Sequence, residues 1–161
     1  MANNNTVNEV VNLAAQTINA TAETAVAGAV VAVPTSYPYP TFKLRFAGTC
    51  AGGTGATLQF KLYAGAAVSG TALGSFTVTG AAVPAAGGNF SLTADLTWDA
   101  VSGKLTGTLG GQTNGTITAA AAITTASVAA QSGLVFGVSA TFGAALATNQ
   151  VKVAEFTVEQ V

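Results

Sequence analysis

Apolar and polar residues alternate with a period of two along much of this chain. In residues 41–65, Phe42, Leu44 and Phe46 alternate with Lys43 and Arg45. Beyond a glycine-rich break, Leu58, Phe60 and Leu62 alternate with Gln59, Lys61 and Tyr63. A period of two is the signature of a strand with one face buried. Repeated on both sides of Gly52-Gly53-Thr54-Gly55, it predicts two antiparallel strands joined by a tight connection. Phe42, Phe46 and Phe60 then share an inner face with Cys50. The outer face carries Lys43, Arg45 and Lys61, three of the chain's five basic residues.

The pattern recurs. Residues 21–33 read as an early strand interrupted near Gly28, and 71–79 as another with Phe76 and Val78 on one side. Residues 89–98 alternate most regularly: Phe90, Leu92, Ala94, Leu96 and Trp98 against Ser91, Thr93, Asp95 and Thr97. Residues 104–109 form a strand, and Asn114-Gly115 is a hairpin signal leading into 116–125. That run is alanine-rich, but its Thr-Ile-Thr and Ile-Thr-Thr flanks favour strand. Gly137 within 134–142 marks a bulge or a close backbone approach. In 151–161 the apolar phase shifts by one residue, which predicts a bulge near Val153–Ala154 or a strand buried on both faces.

Pro34, Pro38 and Pro40 stiffen a turn that displays Tyr37 and Tyr39. Residues 1–20 stand apart as an N-terminal arm, helical or extended. Thr6 and Glu9 fit a capping box, and Val7, Val11, Ala14 and Ile18 follow helical spacing, whereas Asn and β-branched residues oppose a helix. In all, eight to ten short strands with turn signals every 8 to 12 residues predict a single all-β domain over 21–161, a sandwich or barrel whose strand count suits a jelly roll.

Composition narrows the functions. Only 7% of the 161 residues are charged, against roughly 25% in an ordinary domain. Such a surface suits packing against neighbouring subunits. The net charge is −1 and the basic residues do not cluster, which argues against nucleic acid as a partner. The longest apolar run, 25–33, is far too short to span a membrane, and the start lacks the basic region of a secretory signal. A single cysteine excludes an internal disulfide and fits synthesis in a reducing cytosol.

Candidate chemistry is sparse. There is no histidine, which removes Ser-His and Cys-His nucleophiles and the usual zinc sets. Asp95 and Asp99 flank Trp98, but one faces outward from a strand and the other opens a turn it would cap. Glu155 and Glu159 share a strand face about 13 Å apart, too far for paired acid–base work. Gly52–Gly55 lacks the Lys-Ser/Thr element and following helix of a phosphate loop. No loop clusters acids for calcium. No catalytic group, metal or cofactor is expected. The Asn-X-Ser/Thr triplets at Asn19, Asn89 and Asn114 follow from composition. The basic outer face of the hairpin meets solvent or the acidic stripe of the last strand, in the same subunit or the next.

The runs FKLRFAGTC, GGTGATLQFKLYAG, TALGSFTVTGA, NFSLTADLTW and NQVKVAEFTVEQV resemble those of small structural proteins of tailed bacteriophages, in particular jelly-roll capsid decoration (cement) proteins. The resemblance covers residues 20–161 and rests on strand order and composition. It implies a non-enzymatic β-sandwich that trimerises on the outer surface of a phage head and bridges subunits of the major capsid protein, with residues 1–20 lying across the shell. Val7, Val11, Ile18, Tyr37, Tyr39, Lys43, Arg45 and Lys61 are the expected contact residues. A different reading is a tail or spike module that binds a host-surface glycan, for which Trp98, Tyr37 and Tyr39 are the available aromatic platforms.

Overall fold

The chain's structure, a computed structural model, describes residues 6–33, 41–53, 57–78, 87–114, 116–128 and 134–161. The proline-rich turn with Tyr37 and Tyr39, the tip of the Gly52–Gly55 segment and the turn around Pro84 lie outside the described residues.

Among the described residues, twelve strands form two antiparallel sheets. They are β1 (Thr6–Val11), β2 (Gln16–Thr17), β3 (Thr24–Ala32), β4 (Thr41–Ala51), β5 (Leu58–Ala64), β6 (Thr71–Val78), β7 (Gly88–Asp99), β8 (Lys104–Thr113), β9 (Thr116–Ala122), β10 (Ala126–Ser127), β11 (Val135–Phe142) and β12 (Gln150–Gln160). The larger sheet runs β1-β12-β4-β7-β8-β10, with β2 beside β12 and β9 beside β8; the smaller runs β3-β11-β5-β6. Setting aside β2 and the β8–β10 excursion, eight strands remain. Counted in chain order, they pair as first-eighth-third-sixth and second-seventh-fourth-fifth, the order of a jelly roll. β8, β9 and β10 widen the larger sheet on the side of the sixth of these strands.

This order corrects the reading of residues 41–65. β4 and β5 each alternate as expected but do not pair. β4 lies between β12 and β7, and β5 between β11 and β6. The chain crosses from one sheet to the other through 52–57, so the inner faces of β4 and β5 meet across the core. Phe46 and Phe60 touch at 5.3 Å between ring centroids. Two strands that each bury an apolar face can sit side by side or face to face; here the second arrangement joins Phe42, Phe46, Phe60, Phe90, Phe136 and Phe156 in one core. Cys50 belongs to it, and burial pushes its thiol up to about 11, which keeps it protonated and unreactive.

The first segment is extended. β1 pairs antiparallel with β12 from Thr6↔Gln160 to Val11↔Glu155. Four β-branched residues in six suit a sheet edge better than a helix. Asn12 then turns the chain at φ 53°, and the Asn12 and Leu13 amides donate to the Ala154 and Val153 carbonyls. Those carbonyls belong to the bulge of β12, where pairing with β4 shifts between Val153 and Glu155, as the phase change predicts. Gly28 interrupts β3 at φ 76°, and the pairing of β11 with β3 shifts between Gly137 and Ser139. Asn114, at φ 46°, opens the turn that returns β8 onto β9, with Thr113 opposite Thr116.

Gly48 stands opposite the β12 bulge. A Cβ there would lie 2.1 Å from the Lys152 carbonyl oxygen and 3.0 Å from the Phe90 ring. Neither can give way without moving the bulge or the core, so Gly48→Ala is expected to cost about 1–3 kcal/mol. Thermal melting checks this, and an unchanged melting temperature would count against the close approach.

Candidate functional site

The chain has eleven charged residues, five basic and six acidic. Strand order distributes them unequally. Glu9, Lys43, Arg45, Asp95, Lys152, Glu155 and Glu159 line the outward side of the larger sheet, with Asp99 and Lys104 paired in register at its far end. The remaining two, Glu23 and Lys61, lie on the smaller sheet and bind each other. The expected basic trio is therefore divided, because β4 and β5 belong to different sheets. Lys43 and Arg45 stand among carboxylates on one side of the sandwich, and Lys61 is on the other.

On the larger sheet, Glu9, Thr157, Arg45 and Thr93 fall in one row across β1, β12, β4 and β7. In the next row Lys43 lies between Glu159 and Asp95. Arg45 reaches Glu155 at 3.2 Å, so one base of the expected trio does meet the acidic stripe of β12 within one subunit. With 57% of the Arg45 side chain exposed, this pair contributes less than about 1 kcal/mol. Together these rows frame an open trough of about 610 Å³. Asp99 does cap its turn: it accepts from the Ser102 hydroxyl at 2.5 Å and the Val101 amide at 2.9 Å. These bonds, that from Ser102 foremost, hold its carboxyl below the usual range.

The smaller sheet's outward side is built differently. Ala25, Ala27, Val30 and Ala32 are exposed along β3, and Val68 is exposed in the turn between β5 and β6. Val30 and Val68 show 45% and 49% of their surface, and Val68 holds φ 70°, a strained conformation for a β-branched residue. Gly137 and Ser139 point outward but are covered. A Cβ on Gly137 would lie 2.7 Å from the Ala67 amide nitrogen, so the 65–70 turn folds over it.

Ser139 is covered by Glu23, which precedes β3. The Glu23 carboxylate binds Lys61 Nζ at 2.8 Å and accepts from the Ser139 hydroxyl at 2.5 Å and from the Tyr63 hydroxyl. Burial raises its pKa, but the bonds from Lys61, Ser139 and Tyr63 and the charge of Lys61 outweigh this and hold it at about 2. Burial and the Glu23 carboxylate both push the Tyr63 hydroxyl up, and Glu23 raises the Lys61 ammonium. The cluster neutralises the only charges on this side.

Of the expected contact residues, Ile18 is 3% exposed in this chain's own core and offers no outer surface. Val11 is exposed on the edge strand, Val7 pairs with Glu159 at the backbone, and Tyr37 and Tyr39 lie outside the described residues. Trp98 packs against the core and donates its Nε1 hydrogen to the Val128 carbonyl at 3.1 Å, which removes it as an open aromatic platform. Glu23, Tyr63 and Ser139 were not singled out by the sequence pattern. The available signal was rarity: Glu23 is the sole carboxylate between Glu9 and Asp95. Among the described residues no group of three or more His, Cys, Asp or Glu could hold a metal ion.

No protein-family model matches the chain, and no curated protein matches it. Among solved structures it is similar to the CBM2 module of the evolved Dit of Lactobacillus casei BL23 phage J-1, at 9% identity and a TM-score of 0.41, over 81% of this chain and 67% of that one. The jelly-roll order given above stands on this chain's own strand pairings.

Proposed function

We propose that this chain is a non-enzymatic structural component of a bacteriophage particle that decorates the capsid and stabilises it by bridging neighbouring capsid subunits. The observation that carries the reading is the charge segregation. One sheet face holds nine of the eleven charges, and the other holds a single compensated pair among Ala, Val, Thr and Ser. The cores of protein interfaces are depleted of charge, so the smaller sheet is the docking face and the larger faces solvent. The sequence resemblance to capsid decoration proteins supplies the setting: the outer surface of the head, the major capsid protein as partner, and a homotrimer whose avidity multiplies weak contacts.

Co-sedimentation with isolated phage heads tests the reading. The protein is expected to bind saturably, and Val30→Glu, placing an uncompensated charge on the docking face, is expected to weaken binding at least tenfold without lowering the melting temperature. Undiminished binding by a folded Val30→Glu variant would contradict it. Deleting residues 1–20 is a poorer test, because it removes the edge strand β1 along with any arm.

The second reading is a tail or spike module that binds a host glycan. It is favoured by the trough on the larger sheet and not by Trp98, which packs against the core; Tyr37 and Tyr39 lie outside the described residues. The two readings differ in where the protein sits on the particle.

A further inference from the structure

We infer that the trough on the outward side of the larger sheet is a binding site for a neutral oligosaccharide, held by Lys43, Arg45, Thr93, Asp95, Thr157 and Glu159. The inference deepens the second reading and rests on it and on that sheet, independently of the capsid reading. The trough is about 610 Å³, within the range of small-molecule sites. Its floor spans four neighbouring strands, β1, β12, β4 and β7, which at about 4.8 Å spacing make a platform roughly 14 Å across. Strand pairing fixes the positions from which these side chains project, while the exposed Lys43 and Arg45 side chains keep the rotamer freedom to close on a ligand.

The arrangement of groups selects the ligand class. Bases occupy the central strand and carboxylates the strands on either side, with threonine hydroxyls between them. Lys and Arg only donate, carboxylates only accept, and a hydroxyl does both. A ligand dense in hydroxyls, each both donor and acceptor, can satisfy such an alternating lattice throughout. An anionic ligand meets Glu9, Asp95, Glu155 and Glu159 against only Lys43 and Arg45. A bare cation meets those two bases at the centre. A neutral polyol suffers neither repulsion.

An array of immobilised neutral, sialylated and amino-sugar oligosaccharides, followed by titration calorimetry with the soluble neutral hits, tests this. At least one neutral oligosaccharide is expected to bind. Lys43→Ala and Asp95→Ala are each expected to weaken that binding about tenfold, the loss of a charge-assisted hydrogen bond. Both side chains are exposed, so the variants fold, which their melting curves verify. Val30→Glu, on the opposite face, is expected to leave glycan binding unchanged while weakening head binding, so failure of the two readings can be told apart. Absence of any neutral hit, binding confined to sialylated or amino sugars, or undiminished binding by the Lys43→Ala/Asp95→Ala double variant would each overturn the assignment.

Discussion

Phe46→Ala is expected to cost about 3–5 kcal/mol of folding stability. Phe46 is 3% exposed on β4 and contacts rings from both sheets. Its centroid lies 5.2 Å from Phe90 and 5.6 Å from Phe156 within the larger sheet, and 5.3 Å from Phe60 across the core. The contacts with Phe60 and Phe156 are edge-on, the arrangement that adds about 0.5–1.5 kcal/mol per pair beyond area burial. Removing the ring therefore takes away burial, three aromatic contacts and the filling between two sheets. Strand backbones on both sides limit collapse into the space. Urea unfolding at neutral pH measures the loss, and a value below about 1 kcal/mol would mean the sheets do not meet at this ring.

Acid is expected to weaken the fold through Glu23. Its folded pKa is about 2 against an ordinary 4.5. A depressed carboxylate contributes stability that is fully present above its unfolded value and is lost as pH falls through the folded value. The window therefore runs from about pH 5 down to pH 2. The shift corresponds to at most about 3 kcal/mol. With 24% of the Glu23 side chain exposed, solvent screening leaves that figure an upper bound. Glu23→Gln keeps the shape and an acceptor for Tyr63 and Ser139 but leaves the Lys61 charge uncompensated. Urea unfolding of both proteins through this window is expected to show a steeper acid loss in the wild type. Parallel curves would show that the Glu23 cluster does not hold the carboxylate ionised.

Much of the fold was legible because an amphipathic strand writes its buried face into the sequence at every second residue. Phe90, Leu92, Ala94 and Leu96 are buried as the alternation predicts, and the phase change at Val153–Ala154 marked a real bulge. What alternation does not encode is which strand lies beside which. The Gly52–Gly55 segment looks like a tight turn, yet six residues separate β4 from β5 and carry the chain between sheets. A strand pair seen as one hairpin thus became two strands facing each other across the core.

That single difference decided the candidate site. With β4 and β5 in different sheets, Lys61 moves to the face opposite Lys43 and Arg45, and the segregation of charge becomes visible. The Glu23 cluster joins residues as far apart as Glu23 and Ser139, which no local pattern brings together. Trp98 was rightly placed in phase with the core, and its hydrogen bond to Val128 accounts for its polar end.

Cryo-electron microscopy of virions carrying the protein tests the proposed orientation of the sandwich on the phage head. Density is expected on the outer surface of the head, with Val30 and Val68 of the smaller sheet against capsid subunits and Lys43 and Asp95 of the larger sheet facing solvent. Density absent from the head, or a larger sheet turned toward the shell, would contradict it.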